Sequence, residues 1–502
     1  MIRTHRPSRW LVPLGIGVVT ALVFLPALRY DFQRAWDDGP YLLFNAHLLH
    51  WDWWFMLTSV AFGHLMPLTW LTWTVDAHLW GGWAAPWHAE NVGLHAANAI
   101  LVYLIAARLT SSRLAAVTTA LLFGVHPMRI ESVAWISERK DVLSGLFFLL
   151  SILTYLRYVA ADARRRWTWY ALSLLCFVGG AMSKAIVVVL PVFLLLIDWA
   201  ILKRRAWIEK APYVLIAGIV SELAFWAMRV GIHNELPWAT VGLGPRLLHM
   251  AYSHVYYIWR SVWPSRFSHM IEYTYVPSLD QMQYPIAVAV VGLTVLALWR
   301  LGRPGLTAAA LAYAVAVLPQ SGLFQNGNQL VGNRYSYLAC LPLALLVGFG
   351  GAAVSRRWPR LVPVSLTGVV LALIVVTQVA LPIWRDSETL WTYSADSEPD
   401  CTVCQDWAGI FAYRRGDLLA TERYFKRAIP VSLDTNFPRY ERYWGLGRVL
   451  EEQGKYEEAA AILRVYLVSV PTAYRDYPHE QWHLRDAEVR LARLDVQIQD
   501  LR

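Results

Sequence analysis

The sequence predicts an all-α membrane protein: a polytopic helical bundle followed by a C-terminal domain of short helical repeats. Three observations carry this. Of the 502 residues, 57% are hydrophobic and 16% charged, where a soluble globule carries about a quarter charged residues. Apolar runs of about 18–20 residues recur, each long enough to cross a hydrocarbon core of about 30 Å. The charge also divides unevenly. Residues 384–502 hold 20 of the 36 acids and 16 of the 45 bases, which leaves 16 acids and 29 bases before them. The membrane part is thus net +13 and the tail net −4. The basic residues of the first part stand in short clusters at the ends of apolar runs. That is the positive-inside pattern and not a nucleic-acid surface.

The opening MIRTHRPSRW, followed by LVPLGIGVVTALVFLPAL, reads as a first span over about 10–28 with a cytoplasmic N-terminus and no cleavable-signal pattern. Some sixty residues rich in Trp, His and Asp follow without a clean span. Further spans are expected at about 90–108, 114–125, 142–160, 167–183, 184–202 and 211–230. The run at 247–263 is read as a re-entrant or interfacial helix. If it crossed, Arg300, Arg303 and the cluster SRRWPR at 355–360 would fall outside. Spans at about 285–300, 305–319, 337–352 and 361–381 bring the total to roughly eleven. A membrane domain over 1–383 and a tail over 384–502 result. The parity places the first long loop, the 126–141 loop and the tail on the extracytoplasmic side. Asp31, Asp37, Asp38, Asp52, Glu131, Glu138 and Asp141 all fall in the first two of these loops. Carboxylates gathered on one face suggest a site.

In the tail, two segments align with an offset of 38. Ala408–Gly409, Gly416, Phe425 and Ala428 match Leu446–Gly447, Gly454, Leu463 and Tyr466, and Pro471 closes the second. A small residue, a turn glycine and late packing positions are the tetratricopeptide (TPR) pattern, whose usual period is about 34. Helices at 386–398 and 480–499 would flank these two repeats. Such surfaces bind peptides, and a packing domain without a ligand is the alternative. Of the four cysteines, Cys176 and Cys340 lie in apolar runs. Cys401 and Cys404 form a CxxC in an oxidising compartment, where a local disulfide or free thiols both fit. Two further metal ligands are lacking nearby.

The candidate chemistry lies in the loops. Trp36–Asp37–Asp38–Gly39 stands just beyond the first span, and His64 and Pro67 follow in a Trp-rich segment. His126, Arg129, Glu131, Arg139 and Asp141 share the same face. Arg and Lys neutralise a phosphate, and a carboxylate accepts the proton of an attacking hydroxyl. Bases beside acids at a membrane face therefore suit an anionic lipid-phosphate substrate. The 126–141 segment is expected to form a short helix with Pro127 in its first turn. Glu131, Trp135 and Glu138 would then share one face. Glu131 and Arg139 are the members expected at the site, with Glu138 and Lys140 as the polar cap of the following span.

WDDGPY, HLMPLTWLTW, HAENVGLHAANAILVYLI, HPMRIESVAWISERKDVLSGLFFLLSILTYLRY, MSKAIVVVLPVFLLLIDW and LPQSGLFQNGNQLVGNRYSYL, in that order and followed by TPRs, resemble the transmembrane-and-TPR O-mannosyltransferase (TMTC) family of the GT-C glycosyltransferases. The resemblance implies a GT-C-like bundle. It implies inverting transfer of a sugar, mannose-like, from a polyprenyl-phosphate donor to Ser or Thr hydroxyls of a protein on the extracytoplasmic side. The catalytic aspartate of the first external loop maps to Asp37 or Asp38. His126, Glu131, Arg139 and Asp141 fall on the second-loop motif. His64, Arg129, Lys184 and Arg334 complete the substrate-binding set, with Arg139, Lys184 and Arg334 as candidates to hold the carrier phosphate. The lipid-linked sugar is a co-substrate and no cofactor is implied. A divalent metal is compatible but not required. The expected partners are the carrier, membrane lipids and an acceptor protein or peptide held by the TPR domain.

The sequence also departs from the family. Arg129 stands where animal members tend to have His. Ala185 follows Ser183–Lys184 in place of Glu or Pro. Asn333–Arg334–Tyr335 lacks the Asp of Asp-Arg-Tyr. Two TPRs in place of long arrays suggest a compact bacterial relative in the inner membrane. The rival readings are a non-catalytic TPR scaffold, a GT-C enzyme acting on a lipid or glycan acceptor, and a transporter. A transporter would carry ionisable residues at mid-membrane depth, whereas the acids here cluster at span ends, with Glu222 inside the span at 211–230 as the exception.

Overall fold

The computed structural model describes residues 10–231, 241–324, 329–433, 440–470 and 478–500. It divides into two units. The first comprises residues up to 267, 277–327 and 332–387, and the second 268–276, 328–331 and 388–502.

The first unit is almost wholly helical. Its helices are α1 (Leu11–Phe24), α2 (Trp53–Thr58), α3 (Pro67–Trp80), α4 (Ala84–Leu109), α5 (Arg113–Val125), α6 (Ile130–Ala134), α7 (Arg139–Ala160), α8 (Arg166–Ser183), α9 (Leu190–Ile197), α10 (Ala211–Gly231), α11 (Leu243–Val262), α12 (Gln283–Leu301), α13 (Pro304–Val317), α14 (Ser336–Ala339), α15 (Leu341–Ser355) and α16 (Leu361–Ala380). Strands β1 (Val60–Ala61) and β2 (His64–Leu65) form one small hairpin. Local chemistry sets several boundaries. Ser112 caps α5 by accepting from the Ala115 N–H at 3.2 Å. Asp52 caps α2 through the Phe55 N–H at 2.9 Å. Proline opens α3 and α13 at the first turn, where its missing N–H costs nothing.

Among the described residues, seven helical stretches are long and apolar enough to cross a membrane: Leu11–Arg29, Ala84–Leu109, Ile136–Ala160, Ala185–Leu202, Ile208–Gly231, Gln283–Leu301 and Leu361–Trp384. An eighth arises if Asn333–Ala339 and Leu341–Ser355, bent by 55°, count as one. The roughly eleven expected crossings are therefore not reached on length and composition. The shortfall falls on α5 and α13, which are too short, and on α8, which opens with Arg166 and is diluted by polar residues. Helix α11, with Arg246, His249, Ser253 and Arg260 buried, is not among the seven.

Small polar residues fasten neighbouring helices. The hydroxyls of Ser151 on α7 and Ser173 on α8 each donate to the other's carbonyl at 2.8 Å, and the Tyr213 hydroxyl on α10 donates to the Ser173 oxygen at 2.7 Å. Near the other end of α7, Tyr337 is pinned at its hydroxyl by Asn98 Nδ2 and His95 Nδ1, both at 2.8 Å. Its ring edge packs against Gly145. A Cβ there would stand 2.7 Å from the ring and 3.2 Å from Asn98 Nδ2.

The second unit builds on α17 (Ser387–Ser397), α18 (Thr402–Arg414), α19 (Leu418–Leu433), α20 (Glu441–Glu452), α21 (Tyr456–Ser469) and α22 (Pro478–Asp500). Strands β3 (Ile271–Glu272) and β4 (Gln329–Val331) pair antiparallel within it. The hairpins α18–α19 and α20–α21 repeat with the offset read from the sequence. Each turns at a glycine in the left-handed region, Gly416 (φ 78°) and Gly454 (φ 75°). Each also brings a glycine against a bulky partner. A Cβ on Gly409 or Gly447 would meet Phe425 or Leu463 at 2.6 Å. Phe425, Leu446, Leu450, Leu463 and Tyr466 form the core. Pro471 and the link 434–439 lie outside the described residues. Cys401 and Cys404 are joined in a disulfide, while Cys176 and Cys340 are free.

In an open helix Gly→Ala gains about 1 kcal/mol. Gly145→Ala should instead lose about 1–3 kcal/mol by overpacking against the pinned Tyr337 ring. The check is the thermal unfolding midpoint of the purified protein in detergent. A raised midpoint would contradict the packing described.

Candidate active site

The site is framed by one polar face of α4. His88, Asn91, His95 and Asn98 are spaced i, i+3, i+7, i+10 and are all buried. Asn91, His95 and Asn98 bond main-chain carbonyls from the last turn of α5 to the first turn of α7. Asn91 Nδ2 donates to the Trp135 carbonyl at 3.2 Å, Asn98 Nδ2 donates to the Val142 carbonyl at 2.8 Å, and His95 Nε2 lies 2.9 Å from the Gly124 carbonyl. A buried non-helical carbonyl must find a donor, and Asn91 supplies one to the extended Trp135.

The segment so held is not the surface helix expected. Residues 126–141 are buried throughout. They form a 3-10 turn Pro127–Arg129, the short helix α6, a second 3-10 turn Ile136–Glu138, and the start of α7. Trp135 is extended (φ −88°, ψ 117°) and breaks the helix. Glu131, Trp135 and Glu138 therefore do not share a helical face, although Pro127 does open the first turn. Trp135 packs between Trp36 (ring centroids 4.4 Å) and Trp384 (5.8 Å).

Asp38 ties the first loop to this segment. Its carboxylate accepts from the Gln33 N–H at 2.7 Å, from the Ser137 N–H at 2.9 Å and from the Ser137 hydroxyl. It is fully buried. Burial raises its pKa to about 6 against the pull of these three donors. All three donors belong to residues fixed by the fold. Asp37 is different: its side chain keeps 21% of its exposure and stands 3.7 Å from Lys140 Nζ. Burial raises its pKa and Lys140 opposes the rise.

Beyond Asp37 lies a cluster of charges from three separate elements. Glu138 is approached by Lys140 (3.2 Å), Lys184 (3.1 Å) and Arg334 (3.4 Å). Asp141 pairs with Lys184 at 2.6 Å and accepts from the Ser132 hydroxyl at 3.0 Å. Glu131 pairs with Arg334 at 2.5 Å. Burial raises the Glu131 pKa, with Arg334 pulling it down. Tyr41 lies 5.0 Å from Lys140 Nζ, and Trp135 lies 5.7 Å from Lys140 and 5.5 Å from Arg334, as cation–π walls. His64, in β2, is held neutral. Burial first, then the charges of Lys140 and Lys184, lower its pKa to about 3. The cluster thus unites Asp37, Glu131, Asp141, Lys184 and Arg334 of the expected residues, with His64 within reach of its charges.

Three expected residues lie elsewhere. Arg139 does not face the cluster. Fully buried, it pairs with Asp76 on α3 and Glu90 on α4 and donates to Asn91 Oδ1 (3.0 Å) and the Trp87 carbonyl (2.9 Å). Burial raises the Asp76 pKa, with Arg139 opposing. Arg139 thus fastens α3 and α4 to the start of α7. Arg129 donates to the Ser336 hydroxyl at 2.9 Å and lies between the rings of Phe123 and Tyr337. His126 is a cap: its Nδ1 accepts from the Met128 N–H at 3.2 Å, and its Nε2 lies 3.0 Å from the Ser261 carbonyl. Burial, then Arg129, lowers its pKa to about 4. Conversely, Glu138 and Lys140 are no solvated cap, being 1% and 2% exposed. Sequence reasoning also passed over Ser137, Asp76 and the α4 stripe, whose helical spacing was the available signal.

Residues 93–227 match the family model described as dolichyl-phosphate-mannose-protein mannosyltransferase. That stretch holds the α4 stripe from Leu94 onward, the buried 126–141 segment and Lys184, and leaves Asp37 and Arg334 outside it. The chain is 24% identical over 460 residues to the protein O-mannosyl-transferase TMTC4 of Mus musculus, covering 77% of this chain and 61% of that one. It is 34% identical over 176 residues to the human protein O-mannosyl-transferase TMTC2, covering 33% of this chain and 21% of the relative. The chain therefore spans about three fifths of the first relative and about a fifth of the second. Among solved structures, ArnT from Cupriavidus metallidurans, bound to undecaprenyl phosphate, aligns with TM-score 0.41 and 14% identity over 96% of this chain and 85% of that one. The family model and the relatives bear out the resemblance to the transmembrane-and-TPR O-mannosyltransferases.

Removing one member of a buried ion pair costs about 3–5 kcal/mol, whereas replacing both by apolar groups is often neutral. Arg139→Met should accordingly lower the thermal midpoint sharply, and Arg139→Met with Asp76→Leu should recover part of it. A single variant as stable as wild type would overturn the fastening role.

Proposed function

We propose that the chain is an integral-membrane glycosyltransferase that transfers a hexose, mannose-like, from a polyprenyl-phosphate donor to Ser or Thr hydroxyls of a protein. The observation that carries this reading is the convergence of Lys140, Lys184 and Arg334 beside the partly exposed Asp37. One group can take a proton while the others receive a departing phosphate. The likeness to protein O-mannosyl-transferases supports the choice of donor and acceptor.

In this mechanism the acceptor oxygen attacks the anomeric carbon from the face opposite the carrier. Its proton passes to the Asp37 carboxylate. The bond between the anomeric carbon and the carrier phosphate oxygen breaks, and the configuration inverts. The carrier leaves as a phosphomonoester whose added negative charge is met by Lys184, Arg334 and Lys140. Glu131 orients Arg334, Asp141 orients Lys184, and Asp38 holds the loop that carries Asp37. Arg and Lys alone can stabilise such a leaving group, so a divalent metal is not required. The distribution of basic clusters supports an extracytoplasmic site. The helical hairpins of the tail are proposed to recognise the acceptor polypeptide.

The test uses purified full-length protein, a labelled polyprenyl-phosphate hexose and a Ser/Thr-rich polypeptide. Asp37→Asn should lower transfer by about 10²–10⁴-fold, the range for loss of a general base. Unchanged transfer would reject the assignment.

The pH dependence has a defined sign. Asp37 must be ionised to accept a proton, and burial raises its pKa. The rate should therefore fall as pH drops, with its acid limb above the ordinary aspartate range of about 3.9. A limb at or below that range would argue against Asp37.

A further inference from the structure

Glu138 has no part in the transfer step set out above. Yet its buried carboxylate is the meeting point of three cations carried by α7, by the α8–α9 junction and by the turn before α14. Lys140 and Arg334 reach Oε1 at 3.2 and 3.4 Å, and Lys184 reaches Oε2 at 3.1 Å. Asp141 has the Ser132 hydroxyl as a further donor, and Glu131 has the Arg334 backbone N–H. The ion pairs of Glu138 are with these three cations, and its carboxylate also shares a side-chain hydrogen bond with the Asp141 carboxyl. In position and charge it does what a phosphate oxygen would do there.

We propose that Glu138 is an internal counter-ion that competes with the carrier phosphate for Lys140, Lys184 and Arg334. The inference rests on the glycosyltransferase reading of this cluster. Its physical ground is the local charge balance. Asp37, Glu131, Glu138 and Asp141 already outnumber the three cations in a buried setting. A further anion cannot enter without a carboxylate yielding its partners, because uncompensated buried charge is heavily penalised. Glu138 is the carboxylate that contacts all three of the cations the phosphate needs.

The competition has a kinetic side. The donor is a phosphodiester with one negative charge, and the released carrier is a monoester with up to two. The proton lost by the acceptor goes to Asp37, so the negative charge on the phosphate rises as the sugar leaves. A carboxylate ready to reclaim the cations then helps expel the spent carrier. Glu138 is thus a positioning residue that sets affinity for the carrier and speed of release, not a group that touches the reacting atoms.

The experiment measures binding of a polyprenyl monophosphate, and of the uncharged polyprenol of the same length, to purified full-length wild type, Glu138→Gln and Glu138→Asp. The first variant removes the competing charge, and the second draws it back by one methylene. Glu138→Gln should bind the monophosphate at least about tenfold tighter, a conservative fraction of one partly screened charge contact. Glu138→Asp should fall between it and wild type, and polyprenol binding should not move. In turnover, Glu138→Gln should lower KM and kcat together, since product is retained. A residue that merely braced the fold would weaken binding and spare this split. Two results overturn the proposal in different ways. If wild type prefers the monophosphate over the polyprenol but neither variant binds it more tightly, the counter-ion role is wrong and the parent reading stands. If no protein, variant or wild type, prefers the monophosphate, the lipid-phosphate reading itself falls and takes this inference with it.

Discussion

Everything in the membrane unit that bears on function depends on one arrangement: three cations gathered on a buried carboxylate at the head of α7. Charges taken out of water are expensive unless they are paired and held in good geometry. A cluster of this kind therefore persists only where the surrounding chain over-determines it. Here Lys140 follows directly from the start of α7, Lys184 stands where α8 gives way to the next helical stretch, and Arg334 comes from the turn before α14. No two of these elements are adjacent in sequence.

What over-determines the cluster is a set of anchors, part amide and imidazole, part buried ion pair, that fix the chain around it. The face of α4 that carries Asn91, His95 and Asn98 reads carbonyls at Trp135, Val142 and Gly124. Asp38 clasps Ser137 and Gln33. Arg139, facing away, locks α3 and α4 onto the same segment through Asp76 and Glu90. The segment can then be irregular, with Trp135 extended, and still present Glu138 and Lys140 inward. Asp37 stands beside the cluster because its neighbour Asp38 is fixed. Of two adjacent carboxylates, one is held by structure and the other is left partly open.

Much of this was legible in the sequence, but unevenly. The helical class and the positions of the apolar helices follow from long hydrophobic runs. The gathering of acids in the first loops follows from charge counting. The offset of 38 in the tail reappears as two glycine-turned hairpins. The failures share a cause, which is that burial and long-range partners leave no mark in a local window. Glu138 and Lys140 read as a solvated cap because charge beside an apolar run is ordinarily exposed. Arg139 read as a site residue because its partner Asp76 lies 63 positions away. Asp37 and Asp38 were indistinguishable because they differ only in what folds against them. The crossing count of eleven included helices too short or too polar to qualify by composition.

The central claim is that the cluster at Glu138 receives the phosphate of a lipid carrier. The most direct test is an experimental structure of the purified protein with a non-hydrolysable polyprenyl-phosphonate analogue of the donor. The account predicts the phosphonate within hydrogen-bonding reach of Lys140, Lys184 and Arg334, with the Glu138 carboxylate turned out of contact with at least one of them. A phosphonate bound elsewhere, with the three cations still closed on Glu138, would contradict it.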